Sequence, residues 1–494
     1  MTHPVKKLAG QTAVYGFSSI AGRFLNYLLV PLYTRLFLPA EYGVVTDLYA
    51  YAGFLFVLLT YGIETAYFRY SEKHSNPDEV FFAAVTPLFV TTSIFIFFVV
   101  LFAQPVAAFL KYPEHSEYVV LFALIIGADV MTTVPFAKLR RENKAVKFAI
   151  FKFINITLNI GFNLFFLLLC PYLKEHYPDS FVASFYSGRS IVYIFISNLI
   201  ASAITLMLFV PDFFRIKYRF SHKILKQLLI YGLPLLFAGL AGMVNEVIDR
   251  ILLKYLLTIP PDVTDAENYV FSQIGIYGAN YKLSVLISLF IQAFRYAAEP
   301  FFFSHQKEKN ARKTYAEVMN YFIIFGLLIF LGIMLYIDAV KYFINERYWS
   351  GLKIVPILLF ANLFLGIVYN LSVWYKLTDK TRFGAYIAGI GALITVVLNV
   401  VLIPKIGYLG SAWATFFCYF SMMIISYFWG RKHYGIDYSL KKAGFYVFLA
   451  LLIFFLSRIH SSEGFFKYFV NTVLLMIFII AVLLKERNMF FKKA

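Results

Sequence analysis

The sequence predicts an all-α integral membrane protein with about fourteen membrane-spanning helices. Of its 494 residues, 61% are apolar and only 15% are charged, and a soluble domain of that size cannot bury so much apolar surface in one core. The apolar runs continue for about twenty residues without the period-two alternation of barrel strands, which favours helices. We place the spans near residues 12–34, 44–66, 80–104, 117–137, 148–171, 186–210, 225–256, 275–301, 315–338, 353–374, 383–404, 410–430, 442–459 and 465–484.

The loops between these spans alternate in charge, which predicts the orientation of the chain. Even-numbered loops are rich in Lys and Arg, as in 138–147 and 307–313, whereas the loop 257–274 has acids and no cation after Pro260. Because cytoplasmic loops hold an excess of cations, both termini are predicted to be cytoplasmic. Membrane topology explains the net charge of +18 better than nucleic-acid binding does, since the cations form short clusters instead of one basic face.

The sequence lacks the motifs that are typical of several classes of chemistry. The two cysteines, Cys170 and Cys418, lie in apolar stretches and form no CxxC motif, and the eight His residues show no metal-ligand spacing. There is no phosphate-binding GxxxxGK[ST] motif, and the longest predicted loop, 257–274, is too short for a folded domain. We therefore predict no cofactor, no metal site and no enzymatic activity, with energy for any transport taken from an ion gradient, the membrane potential or product removal.

A faint internal repeat predicts the domain organisation. Helix one begins with Tyr15-Gly16 and helix seven with Tyr231-Gly232, and a second Tyr-Gly pair follows each of them, at Tyr42-Gly43 and Tyr277-Gly278. Chance is an alternative, since Tyr is abundant. The repeat predicts two six-helix lobes, residues 1–215 and 216–435, with helices 13 and 14 and a cytoplasmic tail in residues 436–494.

Arg23 is the strongest candidate for a functional residue. An ionised side chain near the middle of a span is costly, by about 2.5 to 3.5 kcal/mol on insertion scales, so it requires a partner or a wet cavity. Tyr15, Ser19, Arg23 and Asn26 recur at helical spacing and predict one polar stripe on helix one that faces a cavity. The alternative is an Arg23 held by backbone carbonyls or by a buried acid between helices.

Helices seven and eight supply two further cations. Arg250 follows Glu246 by four residues, a favourable spacing for an intrahelical ion pair, so the two side chains either neutralise each other or leave Arg250 for a ligand. Asp249 lies beside them. Lys282 has no acid three or four residues away, which leaves its charge for a ligand or for another helix.

Four more charged residues are candidates for gating or ion coupling. Arg295 and Glu299 form a second i, i+4 pair near the end of helix eight, and interface snorkelling is the alternative for them. Glu64 and Asp129 are acids inside helices two and four that would pair with Arg23, bind a coupling cation or carry a proton. We predict Glu64, Asp129, Asp249, Arg295 and Glu299 as the gating or coupling group.

Short motifs in helices one, two, seven and eight resemble those of a known family. The segments Tyr15-Gly16 with Arg23, Pro31–Leu36, Pro39–Gly43, Ile248–Leu252 and Ile274–Leu283 resemble bacterial polysaccharide flippases of the O-antigen type. These flippases belong to the multidrug, oligosaccharidyl-lipid and polysaccharide exporter superfamily. The likeness extends over the whole chain in helix count and charge layout.

The resemblance implies two six-helix lobes around a central cavity and transport by alternating access. The expected substrate is an undecaprenyl-diphosphate-linked oligosaccharide, moved from the cytoplasmic to the periplasmic leaflet of the inner membrane for cell-surface polysaccharide such as O-antigen of lipopolysaccharide. Arg23 corresponds to a basic cavity residue of the related lipid II flippases, and Arg23, Asn26, Arg250 and Lys282 are the expected substrate-binding residues. Other polysaccharide assembly proteins are expected partners.

Two other functions compete with this interpretation. A multidrug exporter of the same superfamily would be expected to carry cavity acids for cationic drugs, whereas helix one carries Arg23 and no acid. A membrane glycosyltransferase or polymerase acting on the same lipid-linked sugars would need a large loop or a soluble domain for its catalytic groups. No predicted loop is large enough.

Overall fold

The computed structural model describes residues 16, 18, 20–214, 220–306, 308–459 and 464–486. Thirteen helices in this part of the chain are long and apolar enough to cross a membrane, which confirms the all-α membrane class. The predicted first span, 12–34, lies partly outside the described residues, and its described part is helical at 20–27 and in α1 (Val30–Leu36). The spanning helices are α2 (Pro39–Ser71), α3 (Pro77–Leu101), α4 (Ser116–Arg141), α5 (Ala145–His176), α6 (Val192–Phe213), α7 (His222–Leu256), α8 (Ala266–His305), α9 (Ala311–Leu335), α10 (Glu346–Leu377), α11 (Arg382–Ile406), α12 (Tyr408–Tyr434), α13 (Leu440–Ile459) and α14 (Gly464–Lys485).

Helix α8 begins earlier than the hydropathy of the sequence predicts. The prediction left residues 257–274 as a loop, but the helix starts at Ala266, so that the prediction of the loop was wrong by about two turns. Asp265 is the reason, because its carboxylate accepts a hydrogen bond of 3.0 Å from the main-chain N–H of Asn268 and so caps the first turn. Glu267 places a second negative charge at the same helix start.

Helix α2 is interrupted near its end by Gly62. This residue has a φ of 71°, in the left-handed region where glycine is favoured. A Cβ on Gly62 would lie 2.6 Å from the carbonyl oxygen of Gly232, and a Cβ on Gly232 would lie 2.7 Å from that of Tyr61. The two glycines therefore let the backbones of α2 and α7 approach closely.

The described chain forms two compact units. Unit 1 comprises residues up to Leu29 and Val44–Ile251, and unit 2 comprises Val30–Gly43 and the residues from Leu252 onward. Unit 1 has α4 at its centre, packed against α3 and α6, with Phe136, Phe148 and Phe209 in edge-to-face contact. The predicted lobe boundaries, at residues 215 and 435, stay a prediction.

In unit 2, the start of α2 lies directly against the start of α8. A Cβ on Gly43 would collide with the carbonyl oxygen of Phe271, and a Cβ on Gly275 would collide with that of Pro39. The phenol of Tyr348 adds a hydrogen bond of 3.0 Å to the carbonyl oxygen of Phe37. Backbone-to-backbone contact of this kind requires glycine on both helices.

Helices α13 and α14 are fixed to the rest of unit 2 by polar contacts. The amide of Asn471 donates to the carbonyl oxygen of Leu335, the hydroxyls of Tyr336 and Thr472 are 2.7 Å apart, and the ammonium of Lys467 lies 2.7 Å from the Asp338 carboxylate. The carboxylate of Glu486 accepts from Lys442 and from Tyr446 at 2.7 Å. Polar groups of this kind hold helices together where lipid supplies no hydrophobic driving force.

The contact between Lys467 and Asp338 gives α14 a pH-dependent attachment. Asp338 lies beyond the end of α9, and the hydrogen bond from Lys467, aided by Lys341, holds the pKa of its carboxyl below the ordinary value of 3.8. A depressed pKa stabilises the fold above the ordinary value, and this stabilisation is lost as the pH falls through the lowered value. We expect Asp338→Asn to lower the free energy of unfolding by less than about 1 kcal/mol, as for a partly exposed pair, and to lower Tm slightly from pH 8 down to pH 5.

Thermal unfolding of the purified protein in detergent checks this expectation. The difference in Tm between Asp338→Asn and the intact protein should begin to shrink below about pH 4 and should close as the pH falls through the lowered pKa of Asp338, because both proteins then carry a neutral side chain at position 338. A difference that stays the same from pH 5 down to about pH 2 would contradict the electrostatic origin.

Candidate functional site

Helix α5 has two opposite faces of different chemistry. One face is apolar and exposed, with Val146, Ile150, Leu164 and Leu168 at helical spacing, as expected of a surface that meets lipid. The opposite face is polar along most of the membrane thickness. This polar stripe consists of Lys152, Asn155, Asn159 and Asn163, spaced by three or four residues.

The asparagines of the polar stripe contact helices of unit 1. The amide of Asn159 donates to Oδ1 of Asn26, in the first helix, at 3.0 Å. Asn163 is buried and donates to the carbonyl oxygen of Asn159 at 2.8 Å, while Asn155 donates to the hydroxyl of Thr205 at 2.9 Å. The stripe therefore faces the inside of unit 1, away from the apolar face of its own helix.

Lys152 and Asp129 are the charged members of this region. The Lys152 ammonium lies 4.0 Å from the centre of the Phe136 ring, and it interacts electrostatically with Asp129 of α4. The hydroxyl of Ser202, on α6, hydrogen-bonds the Asp129 carboxylate. A cation and an acid at membrane depth stabilise each other when they lie together in this way.

Sequence reasoning missed Lys152 and the three asparagines of α5. The signal was available, because residues 152, 155, 159 and 163 recur at the spacing of one helix face. Each of the four, taken alone, resembles an isolated polar residue in an otherwise apolar run. Their position on one helix face distinguishes them from isolated polar residues.

The structure places the two candidates of helix one together. Arg23 and Asn26 lie one turn apart and both residues are exposed in unit 1, and a substrate role for Arg23 stays a prediction. Asn26 faces the polar stripe through its bond to Asn159, and the spacing puts Arg23 on the same side of its helix. Tyr15 and Ser19, the other members of the predicted stripe, lie outside the described residues.

The two acids that were candidates to pair with Arg23 have other partners. The Glu64 carboxylate accepts a hydrogen bond from the Arg140 guanidinium, and Asp129 interacts with Lys152. Neither pairing was predicted, because the sequence does not show which helix faces pack together. A gating or ion-coupling role for Glu64 and Asp129 stays a prediction.

On α7, Arg250 is buried and bound to its own helix. Its guanidinium donates to the main-chain carbonyl oxygen of Glu246 at 2.6 Å and to the carboxylate of Asp249 at 3.1 Å. The predicted neutralisation by the Glu246 carboxylate is therefore corrected: the carboxylate in contact is that of Asp249, and the Glu246 side chain is exposed. Asp249 also accepts the main-chain N–H of Arg250 at 2.8 Å, which orients it for this contact.

The remaining candidates lie in unit 2, on α8. Lys282 is exposed. Arg295 and Glu299 are 3.8 Å apart as the i, i+4 spacing predicts, but Lys376 of α10 is closer to the Glu299 carboxylate, at 2.6 Å. The Arg295 guanidinium lies 4.1 Å from the centre of the Tyr369 ring. Glu299 therefore joins two cations and two helices, and its predicted part in gating stays a prediction.

Among the residues that the structure describes, no group of three or more His, Cys, Asp or Glu side chains could hold a metal ion. In unit 1 the site instead combines an exposed guanidinium with amide groups at membrane depth. These groups suit a ligand that carries both phosphate and hydroxyl groups.

Comparison with known proteins agrees with this membrane architecture. The chain is 25% identical over 280 residues to the uncharacterized membrane protein MJ1068 of Methanocaldococcus jannaschii, a match that spans 55% of this chain and about half (51%) of the relative. Its fold is similar to that of the lipid II flippase MurJ in an inward closed conformation, with a TM-score of 0.73, 14% identity and coverage of 97% of this chain and 99% of the other.

An inward-facing multidrug resistance MATE family transporter of the MOP superfamily is also similar, with a TM-score of 0.63 and 14% identity over 84% of this chain and 94% of the other. At such identities the likeness concerns the fold. The model of the family described as "Polysaccharide biosynthesis protein" matches residues 8–306, more than half of the chain. The chain therefore belongs to the polysaccharide biosynthesis protein family and has the fold of the flippases and transporters of the MOP superfamily.

Proposed function

We propose that this protein is a flippase that moves polyprenyl-diphosphate-linked oligosaccharide from the cytoplasmic to the periplasmic leaflet for cell-surface polysaccharide biosynthesis. The observation that carries the proposal is the exposed Arg23 and Asn26 pair beside the polar stripe of α5. A lipid-facing helix would not keep such groups at membrane depth, because each of them is costly in hydrocarbon. The family and the fold support the same substrate class.

The headgroup requires two kinds of contact as it crosses. The diphosphate is stabilised by cations, and the fork of N–H groups on the Arg23 guanidinium suits its oxygens. Lys282, exposed on α8, is proposed as a second phosphate ligand. Arg250 already binds Asp249 and the Glu246 carbonyl, so we propose it as a secondary ligand of the substrate. The polyprenyl tail stays in lipid throughout.

The cycle is proposed to be alternating access without chemistry on the substrate. Glu64, Asp129 and Glu299 would change partners between states, since each faces a cation of another helix and a shift of one helix would alter that contact. Asp249 and Arg295 pair within their own helices and are proposed as the remaining members of the gating group. The basic loops support a cytoplasmic (inner) membrane with both termini in the cytoplasm. Other polysaccharide assembly proteins would deliver and remove the substrate.

Ligand-dependent stabilisation of the purified protein tests the substrate class. Saturation at a hundred times Kd adds about 2.7 kcal/mol to the stability of a binding protein. We expect a polyprenyl-diphosphate-linked sugar to raise Tm, and the cationic drug ethidium to leave it unchanged. A rise with ethidium and none with the lipid would favour a multidrug exporter and contradict the proposal.

A further inference from the structure

Two hydrogen-bonded pairs at the surface of unit 1 are formed by neutral side chains. The first pair joins Asn159 to Asn26 at 3.0 Å, and the second joins the amide of Asn198, on α6, to the phenol of Tyr49, on α2, at 2.7 Å. Both Asn26 and Tyr49 are exposed, Tyr49 by 40%. Asp129 links the two pairs, since it interacts electrostatically with Tyr49 and with the cation of the polar stripe. We call the four residues of these pairs the amide face.

The amide face keeps hydrogen-bonding capacity for a ligand. A side-chain amide has two N–H donors and an oxygen with two lone pairs, and a phenol both donates and accepts, so one mutual bond does not saturate either pair. Sugar hydroxyls also donate and accept, and therefore match such groups. The Tyr49 ring, in edge contact with Phe122, adds an aromatic surface of the kind that packs against sugar rings.

Helix-to-helix adhesion is the competing explanation for polar residues at membrane depth. Contacts of that kind are buried, as Asn163 and Thr205 are in this unit. The Asn26 and Tyr49 side chains differ because they are exposed. Asn26 does not lie on the lipid side either, since it contacts the polar stripe that is opposite to the apolar face of α5. Tyr49 interacts with Asp129, the partner of the cation in that stripe.

Resting on the proposed function, we infer that the amide face binds the neutral sugar residues of the translocated glycan. The four side chains carry no charge, so they suit hydroxyl groups and not phosphates or cations. Arg23, one helical turn from Asn26, places the diphosphate at one border of this face. The two parts of the headgroup would then be held by different residues.

Binding of two lipids that differ only in the sugar tests the inference. The probes are a polyprenyl diphosphate bearing a trisaccharide of neutral hexoses and the same polyprenyl diphosphate without sugar, titrated against the intact protein, Asn159→Ala and Tyr49→Phe. We expect each variant to weaken the Kd for the trisaccharide lipid by about threefold to tenfold, the effect of one lost neutral hydrogen bond, and to leave the Kd for the sugar-free lipid within about twofold.

One further variant and two outcomes separate the explanations. Asn399→Ala is the control, because Asn399 is a buried amide of unit 2 that donates to the Thr395 carbonyl oxygen; it should leave both Kd values unchanged. Tyr49→Phe removes a single hydroxyl, which keeps the test valid if Asn159→Ala fails to fold. If the variants weaken both lipids equally or neither lipid, the inference is wrong. An intact protein that binds neither lipid refutes the proposed function itself.

Discussion

Gly275→Ala is expected to destabilise the protein strongly, by about 3 kcal/mol. A Cβ at this position collides with the carbonyl oxygen of Pro39, and one at Gly43 collides with that of Phe271. Backbone atoms cannot move away as a side chain can, so α2 and α8 must separate. Overpacking of a well-packed core costs about 1 to 3 kcal/mol, and rigid backbone on both sides places this contact at the upper end.

Thermal unfolding of Gly275→Ala and Gly43→Ala in detergent measures the effect. The matched control is Gly389→Ala, since a Cβ at Gly389 in helix α11 meets nothing within 4 Å. Alanine is the better helix former by about 1 kcal/mol, so the control should keep or raise Tm. Equal Tm values for Gly275→Ala and Gly389→Ala would show that the helices do not approach as closely as described.

Arg23→Ala is expected to reduce transport of a polyprenyl-diphosphate-linked oligosaccharide by about tenfold to a hundredfold. The reason is the loss of charge-assisted hydrogen bonds to the diphosphate, each worth about 1.5 to 3 kcal/mol. Arg23→Lys keeps the charge but not the planar fork, so that it should retain an intermediate rate. Asn26, next to it, is expected to have a smaller effect because it is neutral.

The control for this prediction is Arg189→Ala. Arg189 is exposed and lies in the segment between α5 and α6, outside the spanning helices. The rate of this variant should equal that of the intact protein. Rates should be compared at equal amounts of folded protein. A rate for Arg23→Ala within about twofold of the Arg189→Ala rate would show that Arg23 does not bind the substrate during transport.

A structural feature of this protein could be predicted from the sequence when it depends on a single segment of the chain. Thirteen of the predicted spans match the described helices, because a run of apolar residues long enough to cross a membrane is a property of one segment. The early start of α8 was missed because hydropathy does not detect a polar first turn capped by Asp265. Cap residues could have predicted it.

Partners across helices could not be predicted in the same way. Glu64 bonds Arg140, 76 residues away, and Asn26 bonds Asn159, 133 residues away, and such pairs depend on which helix faces pack together. Arg250 shows the limit even within one helix, since Asp249 and not the Glu246 carboxylate is its acidic contact. The polar stripe of α5 is intermediate, because its spacing is local while its partners are not.

Leaflet accessibility in proteoliposomes tests the central claim most directly. A polyprenyl-diphosphate-linked oligosaccharide is placed in one leaflet, and its exposure to an impermeant sugar-modifying enzyme is followed with the intact protein, with Arg23→Ala and in protein-free vesicles. We expect rapid exposure of the lipid with the intact protein and an exposure rate about tenfold to a hundredfold lower with the variant. Exposure no faster than in protein-free vesicles, from intact protein that transports a cationic drug, would contradict the proposal.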